Sequence, residues 1–419
     1  MSMNDSLVPD VTVVVGAYEA MPYLVRCLES VESQTMGVDR IEIVAVDDGS
    51  TDGTGEYLEE FAARSKVRTT LVRQANSGGP SGPRNVGLSL ARGRYVFFLD
   101  ADDFLGDEAL ERMVAMADRA GTDVVLGRMA GRGRGVPRSM FNETVERADV
   151  YSSRIIYALS AQKLFRREML CRLGLTFDES LPTGEDSLFT MEAYLAGNGV
   201  SVVADYDCYY LVGREDGKHA TRRGTYADRF EALTGLTRVI ARLEPPGPRR
   251  DLLMVRPFTV GLLQQFGPGF LRQPESEQRD KLRLAAAMTG YWNEGVAGRV
   301  RVGERLVLEC VARGRLDLLR DMVEFTAAKS VPEVLREPRT GRRGRVYLAY
   351  PHFRDPAAGL SDQSYAVTVS DWAGSCRVLP PEAQALTVRR VVRGVHRRVR
   401  RLMRGTWNRN TPSVQGSRG

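Results

Sequence analysis

The chain predicts an α/β fold built on a mostly parallel sheet, and two observations carry that reading. Short apolar runs at Val11–Val15, Ile41–Val46, Val67–Val72 and Tyr95–Leu99 alternate with segments whose apolar residues recur at helical spacing. Each run is followed by a cluster rich in Gly, Asp, Asn or Ser. In open α/β sheets ligands bind beyond the C-terminal ends of the strands, so these clusters are where chemistry is expected.

Taken in order, Val11–Val15 leads through Gly16-Ala17-Tyr18 into a helix marked by Leu24, Cys27, Leu28 and Val31. Ile41–Val46 ends in Asp47-Asp48-Gly49, after which Thr51 and Asp52 start a helix carrying Tyr57, Leu58 and Phe61. Val67–Val72 leads into the Gly/Pro-rich loop Asn76–Asn85 and a helix over Val86–Ala91. The run Tyr95–Leu99 ends in Asp100-Ala101-Asp102-Asp103. Residues i and i+2 of an extended chain point the same way, so Asp100 and Asp102 present two carboxylates side by side. Oxygen donors of this kind suit a hard divalent cation that keeps positions open for phosphate. Asp103 reads as a cap for the next helix. Further on come a strand at Asp123–Leu126, a helical segment Ile155–Leu170 and a loop holding Glu185 and Asp186. A helix from Ser187 to Leu195 and mixed strands over Val200–Leu211 complete this part.

At 419 residues, 43% hydrophobic and 27% charged, the chain has the composition of a globular protein of two or three domains. Its five cysteines form no C-x-x-C pair, which argues against zinc and a disulfide framework and fits a reducing compartment. The first residues show no signal-peptide pattern, and no run approaches the roughly 18 apolar residues of a membrane span. A cytoplasmic location is expected, with membrane contact only peripheral, on the inner face. The net charge is +6. Its excess lies in Arg128, Arg132, Arg134 and Arg138, read as one Gly-rich loop, and in Arg389–Arg404. Clustered arginine favours a polyanionic partner: anionic lipid, nucleic acid or a phosphate-bearing polymer.

The domain reading is a catalytic domain at 1–230 and a helical domain at 231–335, where Leu233, Leu236, Val239, Ile240 and Leu243 recur at helical spacing. A small segment at 336–385 carries β-like runs at Val346–Tyr350 and Tyr365–Val369, read as a hairpin or a truncated β module. Residues 386–404 read as a basic amphipathic helix with an apolar stripe from Val388 to Met403. That stripe suits an anionic membrane surface or packing on the helical domain. The polar tail 405–419 reads as disordered.

The segments VTVVVGAYEAMPYLVRCLESVESQT, IEIVAVDDGSTDGT and NSGGPSGPRNVGLSLARGRYVFFLDADD resemble the N-terminal half of a family 2 glycosyltransferase with the GT-A fold. KLFRR at Lys163–Arg167 and LPTGEDSLF at Leu181–Phe189 continue the resemblance in order, so that it covers about residues 10–220. GPSGPRN and the stretch Arg214–His219 further resemble enzymes that glycosylate wall teichoic acid. The chain departs from the family at Gly16 and Glu19, where Pro and Asn are more usual.

The resemblance implies an inverting transfer from a UDP-sugar, UDP-N-acetylglucosamine among the options, with Mn²⁺ or Mg²⁺. The acceptor implied is a hydroxyl of a cell-envelope glycan or an anionic polyol-phosphate polymer. No nucleic-acid partner is expected, and the oligomeric state stays open. Asp102 is implied as metal ligand, with His219 as a further metal or diphosphate ligand. Asp100 and Ala101 would meet the ribose side of the nucleotide. Ala17, Tyr18 and Glu19 would form its first loop, Asp48 would meet the nucleobase, and Asn76 and Arg84 would complete its contacts. A fixed guanidinium suits phosphate or a base carbonyl. Asp186 is implied as the general base that takes the acceptor hydroxyl's proton, with Glu185 orienting it. Lys163 reads equally as an acceptor-site residue or as packing.

Two rivals remain at this point. A nucleotidyltransferase also uses strand-end carboxylates, but its Gly-rich loop with a following Lys is expected directly after the first strand, where this chain has GAYEAMPY. A non-catalytic scaffold of the same fold would not need DAD, GED and His219 together.

Overall fold

The computed structural model describes residues 8–214, 224–337, 345–368 and 370–371. Strands β1 (Val11–Ala17), β2 (Ile41–Asp47), β3 (Arg68–Arg73) and β4 (Tyr95–Asp100) lie side by side in the order β3-β2-β1-β4, all parallel. Helices α1 (Tyr23–Glu32), α2 (Thr54–Arg64) and α3 (Ser81–Leu90) connect them. β1 and β2 are β-branched and buried almost throughout, as a strand covered on both faces must be. The register sets Gly16 opposite both Val46 and Asp100, and Ala17 opposite Asp47. The polar clusters that follow these strands are thereby held at one edge.

Beyond β4 the nine-stranded sheet becomes mixed. A two-residue strand β5 (Phe104–Leu105) precedes α4 (Ala109–Ala120), β6 (Val124–Arg132) and β7 (Val145–Ala148). Then come β8 (Leu164–Arg166), α5 (Arg167–Leu173), α6 (Glu185–Ala196) and the long β9 (Val200–Val212). β8 pairs antiparallel with both β4 and β6, while β6 and β9 are parallel.

Several local expectations are corrected here. The helix read at Val86–Ala91 begins at Ser81, so Arg84 sits in its first turns. The helical segment read at Ile155–Leu170 is a short 3-10 turn at Ile155–Tyr157, then β8, then α5, because Leu164 and Phe165 are taken up by sheet pairing. Arg128 and Arg132 are not in a loop: β6 runs on to Arg132, and only Arg134 and Arg138 follow it. Asp103 does not cap a helix. It accepts from Tyr209 Oη at 2.7 Å and from Val212 N at 2.7 Å, stapling the end of β4 to β9.

The helical region starts with α7 (Tyr226–Leu243), whose N-terminus is closed by a reciprocal capping box between Thr225 and Asp228. A boundary at 230/231 therefore falls inside a helix. α8 (Pro248–Arg256), a π-helical turn at Pro257–Leu262, 3-10 turns at Leu263–Phe266 and Pro268–Arg272, α9 (Glu275–Thr289), α10 (Glu294–Ala297), α11 (Val302–Ala312) and α12 (Leu316–Ala327) follow. β10 (Glu333–Arg336) pairs antiparallel with β11 (Val346–Ala349), and α13 (Asp362–Tyr365) packs beside them. The run Val346–Tyr350 thus finds its partner upstream. Tyr365 ends a helical turn, and a single bridge joins Ala366 to Tyr347. Among the described residues no helix is long and apolar enough to cross a membrane. The stripe at 386–404 and the tail 405–419 lie outside the described residues.

Candidate active site

At the C-terminal edge of β1, β2 and β4 the structure opens a cleft of about 450 Å³. Ala17, Tyr18, Asp48, Arg84, Asp100, Ala101, Asp102, Glu185 and Asp186 all line it. Of the residues singled out from the sequence, Glu19, Asn76 and Lys163 are not on its lining, and His219 lies outside the described residues.

The first loop carries both departures from the family pattern. Gly16 suits a close approach, since a Cβ there would sit 3.1 Å from Pro83 Cβ, tighter than ordinary contact. Glu19 adopts a φ of 49° and turns its carboxylate onto Thr51, accepting from its backbone N at 2.8 Å and its hydroxyl at 3.0 Å. It braces the loop after β2, and its carbonyl accepts from Arg214 at 2.8 Å.

Asp48 is 3% exposed. Its carboxylate accepts from Gln74 Nε2 at 2.6 Å, Ser77 N at 3.0 Å and Ser77 Oγ at 2.9 Å. Asn76 supports this from behind, donating to the Asp48 carbonyl at 3.1 Å and accepting from Gly78 N at 2.9 Å. It shapes the loop rather than facing the cleft.

Arg84 joins the two acidic motifs. One arm donates to Glu185 Oε1 at 2.8 Å and the other to Asp100 Oδ1 at 2.9 Å. Burial would lower its pKa, but the Asp100 and Glu185 carboxylates outweigh that and raise it. Both arms are thus committed to carboxylates. Asp100 also accepts from Gln162 Nε2 at 2.5 Å, a contact the sequence does not signal.

The acidic groups are electrostatically crowded. Burial, then the like charge of Asp100, pushes Asp102 up to about 6. Burial and the neighbouring Asp186 push Glu185 up to about 7. Burial also raises Asp186, while Arg84, Lys163 and Arg256 pull it back. Glu185 and Asp186 occupy the first turn of α6, where the helix dipole favours negative charge. Gly184 precedes them at a φ of 84°, and a Cβ there would lie 2.7 Å from Ala232 Cβ of α7. The helical region therefore packs directly against the start of the acidic helix.

That region also supplies a residue the sequence reading missed. Arg256, at the end of α8, lines the cleft beside Asp186, and its Nε is buried with no hydrogen-bond partner. It sits among apolar residues in the chain, with no local motif to mark it. A second cavity of about 370 Å³ lies between the helical region and the β10–β11 pair. Its charged groups are already engaged: Arg301 with Glu304, and Asp371 with Val302 N and Thr368. The site chemistry is therefore assigned to the first cleft.

Residues 12–174 match the family model for Glycosyl transferase family 2, and residues 226–323 match the Glycosyl transferase TarS linker domain. The chain is 40% identical over 210 residues to a poly(ribitol-phosphate) beta-glucosyltransferase of Bacillus spizizenii, covering 50% of this chain and 33% of that protein. It is 41% identical over 209 residues to the poly(ribitol-phosphate) beta-N-acetylglucosaminyltransferase TarS of Staphylococcus aureus, covering 50% and 36%. The matched segment spans about a third of the length of these relatives. The structure of S. aureus TarS 1-349 in complex with UDP-GlcNAc is similar at a TM-score of 0.73 and 30% identity, covering 81% of this chain and 97% of that one.

Proposed function

Because the chain belongs to glycosyl transferase family 2, we propose that it transfers a sugar, with inversion, from a UDP-sugar to a hydroxyl of a polyol-phosphate polymer of the cell envelope. UDP-N-acetylglucosamine and UDP-glucose are the donors to test first, since similar proteins are named for these sugars. The observation that carries the reading is the Arg84 fork, which holds Asp100 of one acidic motif and Glu185 of the other in a single cleft. A donor-binding motif and an acceptor-activating motif need this proximity.

In this reading Asp48 and the loop Ala17–Tyr18 receive the uridine, and Asp100 and Ala101 face the ribose. Asp186, open to the cleft and in the first turn of α6, takes the proton of the attacking hydroxyl, with Glu185 holding its side of the site through Arg84. Arg134 and Arg256 line the same cleft and suit the phosphates of the acceptor chain. A nucleotide donor supports a cytoplasmic reaction.

Mn²⁺ or Mg²⁺ belongs to the proposal. Among the described residues no cluster of three His, Cys, Asp or Glu side chains stands ready for a metal. Yet Asp100 and Asp102 line the cleft as a carboxylate pair, and burial and the like charge of Asp100 raise the pKa of Asp102. The pair fits a cation shared with the donor's diphosphate. When bound, such a cation neutralises the charge that develops on the leaving diphosphate.

The test is a panel of UDP-glucose, UDP-N-acetylglucosamine, UDP-galactose and GDP-mannose with poly(ribitol phosphate), with Mn²⁺, Mg²⁺ or excess chelator. Transfer from one UDP-sugar, and loss of metal-dependent UDP binding in Asp102→Asn by calorimetry, are expected. Full activity in excess chelator would remove the metal. Pyrophosphate release from a nucleoside triphosphate in place of sugar transfer would favour a nucleotidyltransferase.

A further inference from the structure

Among the described residues Arg84, Lys163 and Arg256 act on Asp186 through charge, and they differ in what else they have to do. Arg84 of α3 is committed to Glu185 and Asp100. Arg256 of α8 opens on the cleft, where an acceptor passes. Lys163, just before β8, is 1% exposed, lies off the cleft lining, and has no carboxylate within ion-pair distance among the described residues. Its Nζ donates to the Ser160 carbonyl. The strongest opposing charge it feels is that of Asp186.

We infer that Lys163 is a positioning residue for the transfer: an enclosed counter-ion that keeps Asp186 ionised and seated. The inference rests on the reading of Asp186 as general base.

The segment 158–163 supplies the geometry. Tyr194 Oη of α6 donates to the Ala158 carbonyl at 2.8 Å, and Thr190 Oγ1 donates to the Ser160 carbonyl at 3.2 Å. Asp186, Thr190 and Tyr194 follow one another at four-residue spacing, so they share one face of α6. Lys163 donates to the same Ser160 carbonyl, and Gln162 holds Asp100. One segment therefore ties the donor-side carboxylate to the helix that carries the base, with a buried ammonium at the tie.

The charge balance around Asp186 gives the direction of the effect. Burial raises its pKa; Arg84, Lys163 and Arg256 lower it; Asp100 raises it, and Glu185 is its titrating neighbour on α6. Burial in turn pulls Lys163 down to about 7. Below that pH the ammonium is charged and favours the carboxylate form of Asp186. Loss of the Lys163 charge must therefore raise the apparent pKa of the base and move the acid limb of kcat to higher pH.

The experiment compares kcat against pH, at saturating donor and acceptor, for wild type, Lys163→Gln and Lys163→Met, with UDP affinity measured alongside. Gln keeps a donor for the Ser160 carbonyl while removing the charge, which separates charge from the hydrogen bond. Both variants should shift the acid limb upward by about 1 pH unit, the lower end of the effect of a close opposite charge, with unchanged UDP affinity and recovery at high pH. An unmoved acid limb, or an equal loss at every pH, overturns the inference, as does failure of both variants to fold. Asp186→Asn separates the two readings. If it transfers sugar at the wild-type rate, the base assignment itself fails. If it is inactive and the Lys163→Gln limb stays in place, only the counter-ion role falls.

Discussion

The two walls of the cleft are held by different forces. On the side assigned to the donor, Asp48 receives three hydrogen bonds from Gln74 and Ser77, and Asp100 is held by Gln162 and Arg84. These carboxylates are held at short range by groups from the loop after β3, from α3 and from the segment before β8. On the side assigned to the acceptor, Asp186 sits in the first turn of α6 with Arg84, Lys163 and Arg256 acting on it through charge. The first wall is set by geometry, and it should change in affinity when perturbed. The second is set by the electrostatic field, and it should change in rate and in pH dependence. Hydrogen bonds made before the ligand arrives orient a site; unpaired charge in a poorly solvated pocket tunes reactivity.

The largest effect should come from the residue the second wall is built around. Asp186→Asn removes the proton acceptor while leaving its shape, and transfer should fall by roughly 10²-fold or more, the usual cost of losing a general base. UDP binding measured by calorimetry should stay near wild type, because Asp48 and Asp100 are untouched. Lost UDP binding would mean that Asp186 belongs to the donor wall and that the division is wrongly drawn.

Arg84 is where the two walls meet, so its loss should damage both. Arg84→Met strands Glu185, whose side chain is 6% exposed, beside Asp186 with no guanidinium between the motifs. Removing one partner of a buried ion pair typically costs about 3–5 kcal/mol, so a stability loss of about 3 kcal/mol is expected in urea unfolding. Arg84→Lys should recover only part of this, since a point charge reaches one carboxylate where the planar fork reaches two. Full recovery by Lys would show that charge alone, and not the fork, joins the walls.

The two walls were also unequally legible in the sequence. β1, β2 and β4 announce themselves because strands buried on both faces are continuous apolar runs, and Asp48, Asp100 and Asp102 follow from where those runs stop. Arg84 was marked by its loop, but its true partner Glu185 lies 101 residues further on, and spacing carries no sign of that pairing. Asp103 has the local look of a helix cap, yet Tyr209 and Val212 claim it across the sheet. The region around Lys163 shows apolar residues at near-helical spacing, but Leu164 and Phe165 are drawn into the gap between β4 and β6. Arg256 carries no motif at all. Local pattern reveals elements and the residues at their ends; contacts made by folding distant segments together are invisible to it.

The smallest effects should separate the arginines that line the acceptor side from those that only resemble them in sequence. Arg134 and Arg256 line the cleft, and Arg134 is close enough to act on Asp102. Arg128 is paired with Asp207 at 2.6 Å, and Arg132 lies over the Tyr210 ring at 5.2 Å. A polyanionic acceptor should therefore feel the first pair and not the second. Neutralising one exposed charge contact is worth up to about 1 kcal/mol, so Arg134→Gln should raise acceptor KM by about fivefold at low salt. The difference from wild type should shrink as salt rises and screens the contact. Arg128→Gln should leave acceptor KM unchanged, because its guanidinium is already spent on Asp207. If Arg128→Gln weakens the acceptor as much as Arg134→Gln does, the polymer runs along the outer face of β6 and not through the cleft, and the acceptor wall must be redrawn there.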